Sequence, residues 1–247
     1  SVHMVSAWAV LFWTGVGGVL YAYAGYPLLL TTLAGARRRR ATSASDCARP
    51  LPSVSLIVPA HNEGETIGSK ISNCALLRYP HDRLEILYVS DGSTDGTAEL
   101  IRSGLDARSR LIELPERCGK AAALNAGLEH AGSEIVVFTD ASLQLEEGAL
   151  EAIVRPFSEP DVGCVSGEDV VAGTGGEALY GRYELFLRRR ESELHSIAGA
   201  SGSFYAERRS LTRPFVANLA PDFLSVLRTV ERGYRAVSEP AARGRMR

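Results

Sequence analysis

Two kinds of patterning share this chain. From Val5 to Ala36, 32 consecutive residues contain no Asp, Glu, Lys, Arg or His. As a helix rising about 1.5 Å per residue, such a run reaches roughly 48 Å, beyond the approximately 30 Å hydrocarbon core of a bilayer. The run therefore predicts one tilted or over-long transmembrane helix. Trp8 and Trp13, both tryptophans of the chain, lie in it with Tyr21, Tyr23 and Tyr26, and such rings concentrate at membrane interfaces. A signal peptide would carry basic residues before its apolar core, whereas here Arg37–Arg40 follow it. A buried globular hairpin is the other alternative, because Gly15, Gly17, Gly18 and Pro27 interrupt the run.

Ala41 to Pro52 is a polar linker rich in Ser, Ala and Pro, and beyond it the pattern turns globular. Short β-branched runs predict strands over Val54–Val58 (stopped by Pro59), Leu84–Val89, Arg110–Leu114 and Glu134–Thr139. Between them, 3.6-residue periodicity predicts helices over Glu63–Leu77, Thr94–Leu105, Lys120–Ala131 and Glu146–Phe157. Strands alternating with helices call for right-handed crossovers and a mostly parallel, Rossmann-like sheet with helices on both faces. The chain thus divides into an anchor over 1–40, a linker over 41–52 and an α/β domain over 53–247.

Charge sharpens that division. The whole chain carries −2, but residues 1–40 carry four arginines and no acid, so the remainder carries −6. The arginine cluster places the α/β domain in the cytoplasm by the positive-inside rule, anchored to the cytoplasmic membrane. A net-acidic domain argues against nucleic acid as partner. Cys47, Cys74, Cys118 and Cys164 contain no CxxC pair and read as reduced cytosolic thiols.

Ligands of parallel sheets sit at the C-terminal ends of the strands. Those positions hold Pro59-Ala60-His61-Asn62-Glu63, then Ser90-Asp91-Gly92-Ser93-Thr94-Asp95-Gly96-Thr97, then Asp140-Ala141-Ser142. Any one of these acids reads as a helix cap or turn residue. Glu63, Asp91 and Asp140 together, all at strand ends, point instead to a nucleotide or metal site. No GxGxxG follows the first strand, which disfavours a dinucleotide dehydrogenase, and GKAAALN lacks P-loop spacing.

The stretches VSLIVPAHNE (54–63), EILYVSDGSTDGT (85–97), GKAAALNAG (119–127), EIVVFTDAS (134–142), GASGSFYAERR (199–209) and APDFLSVLRTVERGYRAVSEPAA (220–242) resemble, in order, those of family 2 glycosyltransferases of GT-A fold. The Ala141-Ser142 variant and the YELFLRRRESELHS stretch look most like membrane-anchored bacterial enzymes related to polysaccharide synthases. The resemblance implies an inverting glycosyltransferase that moves a sugar from a nucleotide sugar, foremost a UDP-sugar, to a polysaccharide or lipid-linked acceptor. Transfer to polyprenyl phosphate is the nearest alternative, and a catalytically weak subunit of a synthase complex is the alternative from another class.

Residue by residue, the resemblance assigns Asp91 to uracil N3–H, Pro59 and Glu63 to the nucleoside pocket, and Lys120 to phosphate. It assigns Asp140 to the first acid of a DxD motif that holds Mg²⁺ or Mn²⁺, with Ser142 standing where the second acid belongs. Asp222 falls at the catalytic base, with Pro221 replacing its usual acidic neighbour. Gly199, Ala200, Ser201 and Gly202 fall at a flexible acceptor-side loop. Arg188, Arg189 and Arg190 read foremost as a solvated helical face, with contact to anionic lipid or a phosphorylated acceptor as the alternative. Nucleotide sugar, acceptor glycan or lipid, membrane and synthase-complex subunits are the expected partners. Relatives of this kind continue into a further acceptor-binding segment and membrane helices, so the chain is expected to be either a fragment cut short at its C-terminal end or an atypically short protein.

Overall fold

The computed structural model describes residues 2–38, 50–170 and 175–246. Arg39, Arg40, Cys47 and most of the predicted linker lie outside the described residues. The chain divides into two compact units, Ser1–Ser45 and Asp46–Arg247.

In the first unit, helices α1 (Val2–Leu20) and α2 (Tyr26–Arg38) are joined by a π-helical turn, Tyr21–Gly25. The predicted run is thus helical throughout, not a hairpin. Pro27 explains the turn: its ring displaces the preceding backbone, and the Tyr26 N–H donates to the Tyr21 carbonyl. Ala7–Ala34 is long and apolar enough to cross a membrane.

The second unit is an eight-stranded sheet in the order β3-β2-β1-β4-β7-β6-β8-β5. Its strands are β1 (Val54–Ala60), β2 (Leu84–Asp91), β3 (Ser109–Leu114), β4 (Ile135–Thr139), β5 (Leu143–Leu145), β6 (Val162–Val170), β7 (Phe204–Arg208) and β8 (Arg235–Met246). The four predicted strands pair in parallel, β3 to β2 to β1 to β4. β7 then runs antiparallel to both β4 and β6, β8 pairs parallel with β6, and β5 closes the edge antiparallel to β8. Pro59 continues β1 instead of stopping it. The β1–β4 pairing ends at Ile57, so on that side Pro59 deprives no ladder of a donor.

Helices α3 (Ile67–Ala75), α4 (Thr97–Ser103), α5 (Lys120–His130), α6 (Ala149–Val154), α7 (Gly176–Leu194) and α8 (Pro221–Glu231) complete the domain. Alternate β1 residues face opposite cores, as strand geometry requires. Leu56 and Val58 pack with Ile67 of α3, Ile101 of α4 and Ile153 of α6, whereas Ile57 packs with Leu124 of α5 and Val226 of α8. Each such fully buried side chain contributes about 1.5–3 kcal/mol.

The arginine stretch of α7 is not a solvated face. Arg188 is buried and donates to Ser166 Oγ, and Arg189 grips buried Glu168 with two bonds of 2.6 Å. A bidentate pair of this kind orients α7 on β6.

Candidate active site

The C-terminal ends of β1, β2 and β4 open onto one side of the sheet, and the loops leaving them are laced together. Beyond β1, Asn62 adopts a left-handed φ of 52°, which Asn tolerates better than most side chains. Its Oδ1 accepts the Thr94 N–H at 2.9 Å and its own N–H donates to Ser93 Oγ at 3.2 Å. The Glu63 N–H donates to Thr97 Oγ1 and the Gly64 N–H to Asp95 Oδ2, each at 2.9 Å. The Glu63 carbonyl accepts from Thr66 and Ile67, starting α3, while its carboxylate takes the Thr66 hydroxyl. Asp95 is held below the usual carboxylate range, chiefly by the Thr97 hydroxyl and then by the Gly64 N–H.

Asp91, the last residue of β2, is 3% exposed. Its Oδ1 accepts the Cys118 N–H at 2.7 Å and its Oδ2 the Gly119 N–H at 2.8 Å. Each oxygen keeps a further lone pair for a ligand. Gly92 makes this approach possible: at φ +57° a Cβ there would stand 2.3 Å from the Arg117 nitrogen. His61 Nδ1 lies 2.6 Å from the Asp91 carbonyl, an acceptor only, so Nδ1 carries a proton.

Asp91 thereby fixes the segment that starts α5, whose first residue is Lys120. Lys120 Nζ donates to Asp140 Oδ1 at 2.6 Å and to the Gly202 carbonyl at 3.1 Å. The Asp140 N–H donates to the Ser203 carbonyl at 3.1 Å. Pro59, Glu63, Asp91, Lys120 and Asp140 all line one cavity of about 310 Å³, with His61, Arg117 and Ser142.

Asp222 lies outside that lining but next to it. It is the second residue of α8, after Pro221 at a position where the missing N–H costs nothing. A Cβ on Gly202 would be 3.8 Å from Asp222 Oδ1, and Gly202 is the residue whose carbonyl Lys120 holds. Asp222 has no ion-pair partner among the described residues.

The segment Gly199–Gly202, expected to be flexible, is pinned at its centre. Ala200 and Ser201 are buried. The Ser201 N–H donates to Ser166 Oγ at 2.8 Å, and Ser201 Oγ donates to Asp169 Oδ2 at 2.7 Å. Gly202 is the exposed member.

A divalent cation fits this site only jointly with a ligand. Asp140 offers one carboxylate, already engaged by Lys120, while Ser142 Oγ faces Met246 Sδ at 3.9 Å. No cluster of three or more His, Cys, Asp or Glu side chains suited to a metal exists among the described residues. Six oxygen ligands would have to come mostly from a diphosphate and water.

Two site-supporting residues escape the sequence reading. Lys70 of α3 is fully buried, donating to Thr139 Oγ1 at 2.9 Å and to the Leu143 carbonyl at 2.5 Å. It brackets the Asp140-Ala141-Ser142 turn from below, and burial pushes its pKa down. Asn73, one turn on, exchanges bonds of 2.7 and 2.8 Å with Leu145. Their signal was present: positions 70 and 73 share the inward face set by Ile67 and Cys74.

Acids and a lysine thus converge at the strand ends of an α/β sheet, with Asp222, which has no ion-pair partner among the described residues, beside them. Residues 55–215 match the family described as glycosyl transferase family 2, and the chain belongs to that family. It is 33% identical over 146 residues to glycosyltransferase AglE of Haloferax volcanii, covering 58% of this chain and 48% of AglE. It is 34% identical over 119 residues to a poly-beta-1,6-N-acetyl-D-glucosamine synthase of Staphylococcus aureus, covering 47% of this chain and 28% of the synthase. The mannosyltransferase PcManGT from Pyrobaculum calidifontis, solved in complex with GDP-Man and Mn2+, superposes with a TM-score of 0.77 at 31% identity, covering 92% of this chain and 66% of that one. This chain therefore has the GT-A fold and spans half or less of its two curated relatives.

Proposed function

We propose that this chain is the catalytic domain of an inverting glycosyltransferase that moves a sugar from a nucleotide sugar to a glycan or lipid-linked acceptor at the membrane. The observation that carries this reading is the meeting of Glu63, Asp91, Lys120 and Asp140 in one cavity, with unpaired Asp222 facing Gly202 at its margin. Asp91 takes the base N–H, and Lys120, at the N-terminus of α5, neutralises the diphosphate. The acceptor hydroxyl loses its proton to Asp222 as its oxygen bonds the anomeric carbon, and the bond from that carbon to the diphosphate breaks on the opposite face. A divalent cation bound with the donor would be held by Asp140 and would offset the same diphosphate charge.

UDP-sugar is the first donor proposed. GDP-sugar is the second, favoured by the 31% identity to a mannosyltransferase solved with GDP-Man; guanine N1–H suits the Asp91 carboxylate as well as uracil N3–H does. The apolar helix over Ala7–Ala34, with exposed Trp8, Trp13, Tyr21 and Tyr23, supports anchoring in the membrane. Arg37–Arg40 at its C-terminal end support a cytoplasmic catalytic domain.

Nucleotide release from UDP-glucose, UDP-N-acetylglucosamine and GDP-mannose, with and without Mg²⁺ or Mn²⁺, tests this reading. One donor should turn over, and Asp222→Asn should lower kcat at least about 100-fold without weakening donor binding. Undiminished turnover in Asp222→Asn removes Asp222 as base. Failure to bind any of the three donors favours a subunit that scaffolds a synthase.

A further inference from the structure

Glu207 occupies a strand position where an apolar residue would be expected. It lies on β7 opposite Val136 of β4 and Cys164 of β6, and is 1% exposed. Its Oε2 accepts the hydroxyl of Ser225 at 2.8 Å, and its Oε1 has no partner. Ser225 belongs to α8, one helical turn beyond Asp222. The Thr229 hydroxyl is also buried without a partner among the described residues, and the buried Tyr205 hydroxyl lies near Ser225. No cation pairs with Glu207 among the described residues. Arg228 donates to the carbonyls of Arg213 and Pro214, Arg209 to those of Leu128 and Ala131, and Arg232 to those of Ser210 and Leu211.

β7 therefore connects two halves of the site. The segment entering it holds Gly202, gripped by Lys120 and facing Asp222. Farther along, its one buried acid holds the helix that carries Asp222. We propose that Glu207 is a positioning residue for Asp222, clamping the N-terminal end of α8 to β7 through Ser225. This proposal rests on Asp222 being the base.

Burial pushes Glu207 up to about 7, against the Ser225 hydroxyl and the more distant charges of Arg228, Arg232 and Arg209. Cys164 on β6 and Tyr205 on β7, which face it, are raised far by burial and stay neutral, and the charge of Asp222 reaches both. Glu207 is thus the member of this cluster that changes charge near neutrality. Its anion would keep Ser225 as donor, with the other oxygen unpartnered and no cation among the described residues, a cost carried by the stability of the domain. The Ser225 bond itself is present in both protonation states and is the stronger one to the anion, so the clamp does not depend on the proton.

The test uses the whole chain with the three donors above. Glu207→Leu, which removes the acceptor of the Ser225 hydroxyl, should lower kcat about tenfold with donor KM within about twofold, and Glu207→Gln, which keeps an acceptor oxygen, should recover most of that loss. Ser225→Ala, which barely changes core volume, should lower kcat about tenfold with donor KM within about twofold. Hydrogen exchange of the α8 amides should rise in Ser225→Ala, a readout that needs no turnover. Unchanged exchange of the α8 amides in Ser225→Ala, or wild-type kcat in Glu207→Leu, overturns the proposal. If Asp222→Asn is inactive while Ser225→Ala and Glu207→Leu both match wild type, the clamp alone fails; if Asp222→Asn stays active, the reading of Asp222 fails first.

Discussion

Asp91 shows how much one side chain carries. Both of its oxygens hold backbone N–H groups that shape the approach to Lys120, and the same carboxylate faces the cavity. Asp91→Ala should therefore weaken nucleoside diphosphate binding by calorimetry at least about tenfold, and Asp91→Asn, which keeps one acceptor oxygen, by less. Equal affinity in wild type and Asp91→Ala would remove it from the pocket. Glu207 makes a second residue-scale prediction. The folded chain keeps this proton up to about 7, whereas the unfolded chain releases it near the ordinary 4.5. Between those values the folded state binds more protons, so this contribution is full below about pH 4.5 and is lost as pH rises through about 7. Relative to Glu207→Gln, wild type should lose on the order of 3 kcal/mol across that window, read from urea unfolding at a series of pH values. Asp91, Glu63 and Asp140 are legible in the sequence because they sit at or just past strand ends, where a polar side chain has no place in an alternating apolar pattern. Lys70 lies on the inward face of α3 with Ile67 and Cys74, a spacing that marks its place but not its partners; Glu207 lies inside a strand, where only the packing of α8 on β7 shows what holds it.

At the scale of elements, the site stands on α3. Lys70 and Asn73 hold the chain on either side of Asp140, from Thr139 to Leu145, so the position of Asp140 depends on a helix that touches no part of the cavity itself. Lys70→Met keeps the apolar stem and removes both donors. It should destabilise the domain by about 1–3 kcal/mol and lower turnover more than donor affinity, as denaturant unfolding and kinetics on the same sample would establish. Wild-type kcat in a stably folded Lys70→Met would show that the turn holds its shape unaided. The legibility of the elements follows the same physics. β1 to β4 are β-branched, separated by periodic helices and paired in parallel with near neighbours, so local pattern sufficed. β6 and β8 are not legible as strands because Gly163, Gly167, Pro240 and Gly244 look like turn residues. Their actual role is close packing: a Cβ at Gly167 would stand 2.2 Å from the Phe204 ring, and one at Gly244 2.6 Å from Leu143. The order β4-β7-β6-β8-β5 comes from pairings between distant segments, which no local window contains.

At the scale of the whole molecule, the two units divide the work along the line that charge had drawn. The uncharged helix belongs to the first, and every acid of the site belongs to the second, whose two cores are drawn from residues beyond Pro50. The first residue near that boundary to pack on the larger core is Leu51, partly buried, and the Leu51 and Pro52 carbonyls accept from Arg83 and Tyr79. Independence of the catalytic domain is therefore expected for a chain beginning at Pro50, and not for one beginning a few residues later. The Pro50 variant should stay in solution without detergent, unfold in one cooperative transition and bind its nucleotide sugar within about threefold of the whole chain, since every residue proposed for the donor lies at Pro59 or beyond. On the proposed reading, transfer to a membrane-borne acceptor should fall much further than donor binding, because a membrane anchor raises the local concentration of such an acceptor. The whole chain should sediment with membranes and resist alkaline carbonate extraction, while the Pro50 variant remains in the supernatant. Release of the whole chain by carbonate would remove the transmembrane reading of Ala7–Ala34, and lost donor affinity in the Pro50 variant would show that the first unit takes part in the site.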